Sequence, residues 1–205
     1  VTKTDLKRSI AAYTAPRGSF EIVEVPPMRY LMVDGRGDPN TSEEYGEAVA
    51  AVFGVAYKLK FASRSELGRD YVVMPLEGLW WSDDMATFTS ERDKSRWSWT
   101  MMSLVPEWID TGLFERARAA VAAKGAPAVQ WLRLSELVEG RCVQTLHVGS
   151  YDDEAPVLAE MHDRFIPDAG LRMRGRHHEI YLADPRRTAP EKLRTILRQP
   201  VEAAG

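Results

Sequence analysis

The run His177-His178-Glu179-Ile180-Tyr181-Leu182-Ala183 sets a carboxylate two residues from an imidazole and two from a phenol. In a strand, alternate side chains share a face. With Ile180 and Leu182 turned to a core, His177, Glu179 and Tyr181 share the opposite face and form a pocket wall. A carboxylate set against rings loses water, which suits it to general acid or base work. Left ionised, it holds a cationic ligand with help from ring faces. The same pattern also fits a solvated sheet face on which Glu179 pairs with Arg174 or Arg176.

Trp80, Trp81, Trp97 and Trp99 fall in one short stretch. Trp97, Trp99 and Met101 alternate onto one strand face, and Arg96, Ser98 and Thr100 onto the other. An apolar stripe opposite a polar one fits either a core or a ligand cleft. Glu77 offers a second charge, and Gly78 permits close approach. Tyr57, Tyr71 and Tyr151 add hydroxyls. Tyr151 follows Gly149, where a strand end meets a helix start and free N–H groups can hold an anion or a water. The histidines, His147, His162, His177 and His178, show no ligand spacing backed by a carboxylate, so no metal or cofactor is expected. Phosphate-loop, dinucleotide and nucleophile-elbow motifs are absent, and Gly35-Arg36-Gly37-Asp38-Pro39 reads as a polar turn. Cys142, in an apolar run, reads as a core thiol.

The elements that must position these groups form a repeat. Arg29–Gly35 reads as a strand, followed by a polar turn and a helix beginning near Ser42. Tyr45, Ala48, Val49, Val52, Phe53 and Ala56 recur on one apolar helical face, and Glu43 and Glu44 suit the positive end. Arg141–Val148 then reads as a strand, followed by Gly149, an acidic turn capped by Asp152 or Asp153, and a helix facing inward through Val157, Leu158, Met161 and Phe165. Further strands are expected at 20–25, 71–74, 95–104, 170–174, 177–183 and 195–201. A helix should begin at Pro106 and stop at Gly125. Strand–helix–strand–strand occurs twice, which predicts an α+β fold of two packed modules, about 20–124 and 139–201, with a cleft at their seam. The polar stretch 82–94 reads as a lid or a surface hairpin loop.

The chain has 205 residues, enough for one good core or two small fused ones, and a net charge of −3, which gives no general pull toward nucleic acid. No segment is long and apolar enough to span a membrane. The N-terminal residues show no secretion signal, and with a single cysteine a reducing, cytoplasmic setting is expected.

Several stretches resemble the GyrI-like small-molecule-binding, or effector-binding, family in its stand-alone members. They are Val25–Asn40, Pro75–Trp81, Gln144–Glu154, His177–Pro185 and Leu193–Pro200, in that order. The resemblance implies a single domain over residues 1–205. Its fold would be a pseudo-twofold pair of β-α-β-β modules, SHS2-like, with a central ligand cleft. It implies a partner that is a hydrophobic, aromatic or cationic small molecule, as in multidrug binding. Many family members carry a DNA-reading helix-turn-helix, for which these residues leave no room beside the two modules. The family's central acidic residue would be Glu179. Trp80, Trp81, Trp97, Trp99, Met101, His177 and Tyr181 would contact the ligand. Some stand-alone members are hydrolases that open the cyclopropane rings of DNA-alkylating natural products. On that alternative Glu179 orients or activates water, and Tyr57 or Tyr151 steadies the carbonyl.

Overall fold

A computed structural model describes residues 2–82 and 93–205. In chain order its strands are β1 (Lys3–Thr4), β2 (Glu21–Val25), β3 (Met28–Arg36), β4 (Asp70–Tyr71), β5 (Glu77–Trp81), β6 (Ser98–Leu104), β7 (Arg133–Leu137), β8 (Gly140–Val148), β9 (Leu171–Met173), β10 (His177–Tyr181) and β11 (Arg194–Ala203). Its helices are α1 (Leu6–Ser9), α2 (Glu43–Leu67), α3 (Thr111–Ala122), α4 (Ala155–Ala159) and α5 (Ile166–Asp168), with a π-helical turn, Glu160–Phe165, between the last two. The chain forms two compact units. The first comprises Val1–Ile10 and Met28–Leu137, the second Ala11–Pro27 and Val138–Gly205.

In the first unit the antiparallel strands run β5-β6-β3-β7, and β1 pairs in parallel with β4. Helix α2 packs on β3 and β6 and against α3. The Ser42 hydroxyl accepts from the Tyr45 N–H (3.3 Å), and Glu43 and Glu44 follow in the first turn, opposite the partial positive charge there. The buried stripe is centred on Ala48, Val52, Val55, Ala56 and Leu59; Tyr45, Val49 and Phe53 lie at its half-buried edge. The helix runs on to Leu67 and ends at Gly68, in the left-handed conformation (φ 65°).

Three expectations for this unit are corrected. The helix after Pro106 starts five residues later than that proline, at Thr111. The Asp110 carboxylate accepts from the Leu113 N–H at 2.7 Å and so fixes the first turn there. The face of β6 expected to be polar is so only at its start: Ser98 is half-buried and Thr100, itself buried, donates to the exposed Asp34 Oδ1 at 2.7 Å, whereas Met102 and Leu104 further along are buried. Gly35, expected in a turn, lies within β3 directly under the Trp99 indole, where an added Cβ would overlap the ring. Of the stretch 82–94, residues 83–92 lie outside the described residues.

In the second unit the antiparallel strands run β10-β11-β8-β2, and the far end of β11 also pairs with β9. Val143, Met161, Ile166, Leu171, Leu197 and Val201 form its core, with Phe20, Val157, Leu158 and Phe165 packed on it. The helix here begins with a 3₁₀ turn, Tyr151–Glu154, after Ser150, with no side-chain cap. Asp153, expected to cap it, instead accepts the Ser150 hydroxyl at 2.6 Å.

Each unit thus contains strand–helix–strand–strand (β3-α2-β5-β6; β8-α4-β10-β11), in the same spatial order, so the fold is α+β with two similar modules. The fourth strand of each sheet enters differently. In the first unit β7 follows β6 along the chain. In the second, the strand in that place is β2, which precedes β3–β7 of the first unit along the chain.

Candidate functional site

The period-two pattern of β10 sorts its side chains. His178 and Ile180 are fully buried on one face, and His177, Glu179 and Tyr181 share the other. The Glu179 and His177 side chains retain only 14% and 11% exposure. Tyr181 Oη donates to Glu179 Oε2 at 2.7 Å. The other carboxylate oxygen, Oε1, lies 3.4 Å from His177 Nε2. Arg174 does not pair with Glu179; its guanidinium is engaged by the carbonyls of Glu139 and Val201.

Tyr151, from the 3₁₀ turn, sets its ring 5.5 Å from that of Tyr181 at 73°. Burial pushes the Tyr151 phenol up to about 12, and the negative charges of Glu154, Glu179 and Asp184 add to it, so this hydroxyl keeps its proton at neutral pH. Glu154 is itself buried. Behind His177 stands His162, edge-on with ring centroids 5.9 Å apart. Burial, then the neighbouring His177, pushes His162 down to about 4, so it is uncharged at neutral pH. In the sequence His162 stands out only as one of four histidines without metal-ligand spacing. The usable signal was its place at helical spacing between Leu158 and Phe165, both of which pack on the core.

The opposite face of the same sheet carries a group that sequence reasoning missed. Glu139 Oε1 lies 2.9 Å from His178 Nδ1, and Arg198 Nη1 donates to Glu139 Oε2 at 3.0 Å. Arg198 also donates from Nε to Gln144 (3.1 Å) and from Nη2 to the Ala12 carbonyl. Burial pushes Glu139 up, but the charges and hydrogen bonds of His178 and Arg198 outweigh it and hold the carboxyl down at about 2. Gln144 in turn donates to the Thr14 carbonyl (3.0 Å) and to Glu21 (2.8 Å). The N-terminal part of the second unit is thereby sewn to the back of β8 and β11, directly behind the strand that carries Glu179.

In the first unit, Trp80 and Trp99 are directly opposed across β5 and β6. Tyr45 stands edge-on to Trp99 (5.3 Å, 85°), and Trp97 meets Trp80 at 5.7 Å. Trp99 and Met101 are fully buried and Trp80 nearly so, while Trp81 and Trp97 keep partly exposed rings. The Trp99 indole N–H donates to the Gly37 carbonyl at 3.2 Å. Gly78 is needed here, since a Cβ would lie 2.7 Å from Trp80 Nε1 and 2.8 Å from Met101 Cε. Glu77 is fully buried. Tyr57 lies on α2, 51% exposed, its ring 6.4 Å from that of Phe53. Tyr71 is buried against Trp108. Cys142 is buried, and burial, then the nearby Glu139 charge, pushes its thiol up to about 12. Among the described residues no three His, Cys, Asp or Glu side chains converge so as to hold a metal ion, and no helix is long and apolar enough to cross a membrane.

A model of the GyrI-like small molecule binding domain matches residues 19–202. The chain belongs to the GyrI-like family. Among solved structures, this GyrI-like chain is similar to a conserved protein of Listeria innocua, at 38% identity and TM-score 0.88 over 98% of this chain and all (100%) of that one. It is similar to a hydrolase of Listeria innocua at 37% identity and TM-score 0.86, again over 98% and 100%. The C-terminal domain of EcmrR shares its fold at 10% identity and TM-score 0.55, over 90% of this chain and 98% of that domain. No curated protein matches the chain by sequence.

Proposed function

We propose that this GyrI-like protein is a hydrolase that opens the strained ring of cyclopropane-bearing aromatic compounds, with Glu179 as the group that takes a proton from the attacking water. The observation that carries the reading is the setting of Glu179. It is a largely buried carboxylate with one oxygen held by the Tyr181 hydroxyl and the other directed at polar neighbours. A hydrogen-bond partner two residues along the same strand fixes the carboxylate, as a positioned base requires. The 37% identity, across the whole length, to a protein described as a hydrolase supports the same reading.

The step balances as follows. The water oxygen bonds to the cyclopropane methylene as its O–H proton passes to Glu179. The C–C bond of the ring breaks, and its electron pair is taken up by the conjugated carbonyl, whose oxygen becomes a phenolate. A neutral phenol is the right donor to that developing charge, and Tyr151, which keeps its proton up to about 12, is such a donor. Tyr57, half exposed on α2, is the other tyrosine assigned to this role. Ring surface for a planar substrate is assigned to Trp81 and Trp97, with Trp80, Trp99 and Met101 behind them.

The test is incubation of the full chain with a spirocyclopropyl cyclohexadienone, following loss of dienone absorbance and appearance of a product one water heavier. Glu179→Gln should lower turnover by roughly 10²- to 10⁴-fold. Unchanged turnover in that variant refutes the assignment of the base. A second reading, capture of cationic aromatic compounds without chemistry, is favoured by the ring of charge around Tyr151 from Glu154, Glu179 and Asp184. It predicts saturable tryptophan quenching by a cationic dye, with affinity lost in Glu179→Gln, and no product from the dienone.

A further inference from the structure

Buried polar atoms in folded proteins are nearly always hydrogen-bonded. Three imidazole nitrogens of His177 and its neighbour His162 break that rule: His177 Nδ1, His177 Nε2 and His162 Nε2 are all shielded from solvent and have no hydrogen-bond partner. They are grouped, since the two rings meet edge-on at 5.9 Å and His177 Nε2 lies 3.4 Å from Glu179 Oε1. That separation does not make a hydrogen bond between the two atoms, yet a third atom about 2.8 Å from each fits between them. The second carboxylate oxygen is already committed to Tyr181. The remaining oxygen of Glu179 therefore lies beside one of the orphaned nitrogens, His177 Nε2, with the His162 ring next to it.

We propose that His177 and His162 form, with Glu179 Oε1, the berth of the hydrolytic water. This rests on the hydrolase reading and extends it to two side chains. His177 shares the water with Glu179 and fixes the direction in which its lone pair points. His162 closes the berth from the helical side. Its ring is uncharged at neutral pH, so it adds a polar contact without a competing positive charge next to the base. The other groups facing this corner of the second unit are Tyr181 on the same strand, Tyr151 and Glu154 on the 3₁₀ turn, and Asp184 in the loop beyond β10, which is held by Arg186. None of these supplies the missing partner to the imidazole nitrogens. During turnover the water loses its proton to Glu179 Oε1 as its oxygen bonds to carbon. The proton then leaves Glu179 to bulk water when the product departs.

The order of tolerated substitutions separates this role from packing. If the histidines only fill space, His177→Phe and His162→Phe, which preserve a ring, are the mild variants. If they hold a water, His177→Gln and His162→Gln are mild because an amide still offers a donor and an acceptor. The phenylalanine variants then lower kcat on the dienone probe by about 10- to 100-fold at unchanged KM, the size of loss expected when a reacting atom is misplaced by about an ångström. Phenylalanine variants as active as wild type, or a loss confined to KM, overturn the proposal. A high-resolution crystal structure of the full chain provides a readout independent of turnover. It should show a water bonded to Glu179 Oε1 and His177 in wild type and in His177→Gln, and none in His177→Phe. No such water in wild type overturns the berth. A water in place in a protein that leaves the probe intact upholds the berth and removes the hydrolase reading instead.

Discussion

Replacing Glu139 by Gln isolates the ionic group behind β10. In the native protein the Glu139 carboxyl is 3% exposed and Arg198 is fully buried, and each is the other's charge partner. The substitution keeps the side-chain volume but replaces the carboxylate facing the buried Arg198 guanidinium with a neutral amide, beside the neutral oxygens of Gln144 and the Ala12 carbonyl. Breaking a buried pair by removing one partner costs about 3–5 kcal/mol, because the remaining charge stays desolvated. Titration gives a second route to the magnitude. Glu139 is held down at about 2 against an ordinary 4.5. A depressed carboxyl contributes stability that is fully present above the unfolded value, near 4.5, and is lost as pH falls toward 2. At about 1.4 kcal/mol per unit the shift corresponds to roughly 3 kcal/mol, in line with the first figure. Urea unfolding at a series of pH values measures both. Glu139→Gln should lose about 3–5 kcal/mol at pH near 7. Its deficit relative to wild type should shrink steadily below about pH 4.5 as wild type surrenders the same contribution. A deficit under about 1 kcal/mol at neutral pH, or one that stays constant into acid, would refute the claim that this carboxylate is ionised and paired in the native state.

Tyr151→Phe should lower turnover of the dienone probe by about 10²- to 10³-fold while leaving its binding intact, measured by stopped-flow absorbance and tryptophan quenching; Tyr57→Phe, run in parallel, decides which hydroxyl serves the oxyanion. Gly35→Ala forces a methyl into the Trp99 indole, and calorimetry should report a destabilisation of about 1–3 kcal/mol, whereas a neutral result would mean that the ring is not seated on that glycine. Cys142 should resist a thiol-specific disulfide reagent at pH near 8 until denaturant is added, since burial keeps it protonated; rapid labelling of the folded protein would contradict its placement.

What the sequence disclosed is local in origin. The alternation of His177-His178-Glu179-Ile180-Tyr181 has the period of a strand, and that alone sorts Glu179 and Tyr181 onto one face with His177. Ser42 followed by Glu43 and Glu44 marks the start of α2 for reasons of capping and dipole, and the structure begins the helix there. What stayed hidden depends on residues brought together from far along the chain. Glu139, His178 and Arg198 have no spacing that betrays them, because their meeting is decided by the register of β10 and β11. Thr100 is buried although its cross-strand partner, Asp34, is exposed, and only the register of β3 and β6 shows that its hydroxyl finds that carboxylate. β7 is a short run of mixed polarity, Arg133-Leu134-Ser135-Glu136-Leu137, whose strand character comes only from the edge of β3. β2 reads correctly as a strand, but nothing within it says that its partner is β8.

That partnership bears on how the polypeptide is made. Residues 21–25 leave the ribosome early, yet the segment they zip onto, 140–148, emerges more than a hundred residues afterwards. At translation speeds of about 5–20 residues per second, the first segment waits roughly 6–24 seconds with its backbone amides unpaired. The intervening stretch, 28–137, can meanwhile complete its own hydrogen-bonded ladder. The nascent protein therefore closes from the middle outward, and the interval before closure is when its early β segment is most open to pairing with a neighbouring chain.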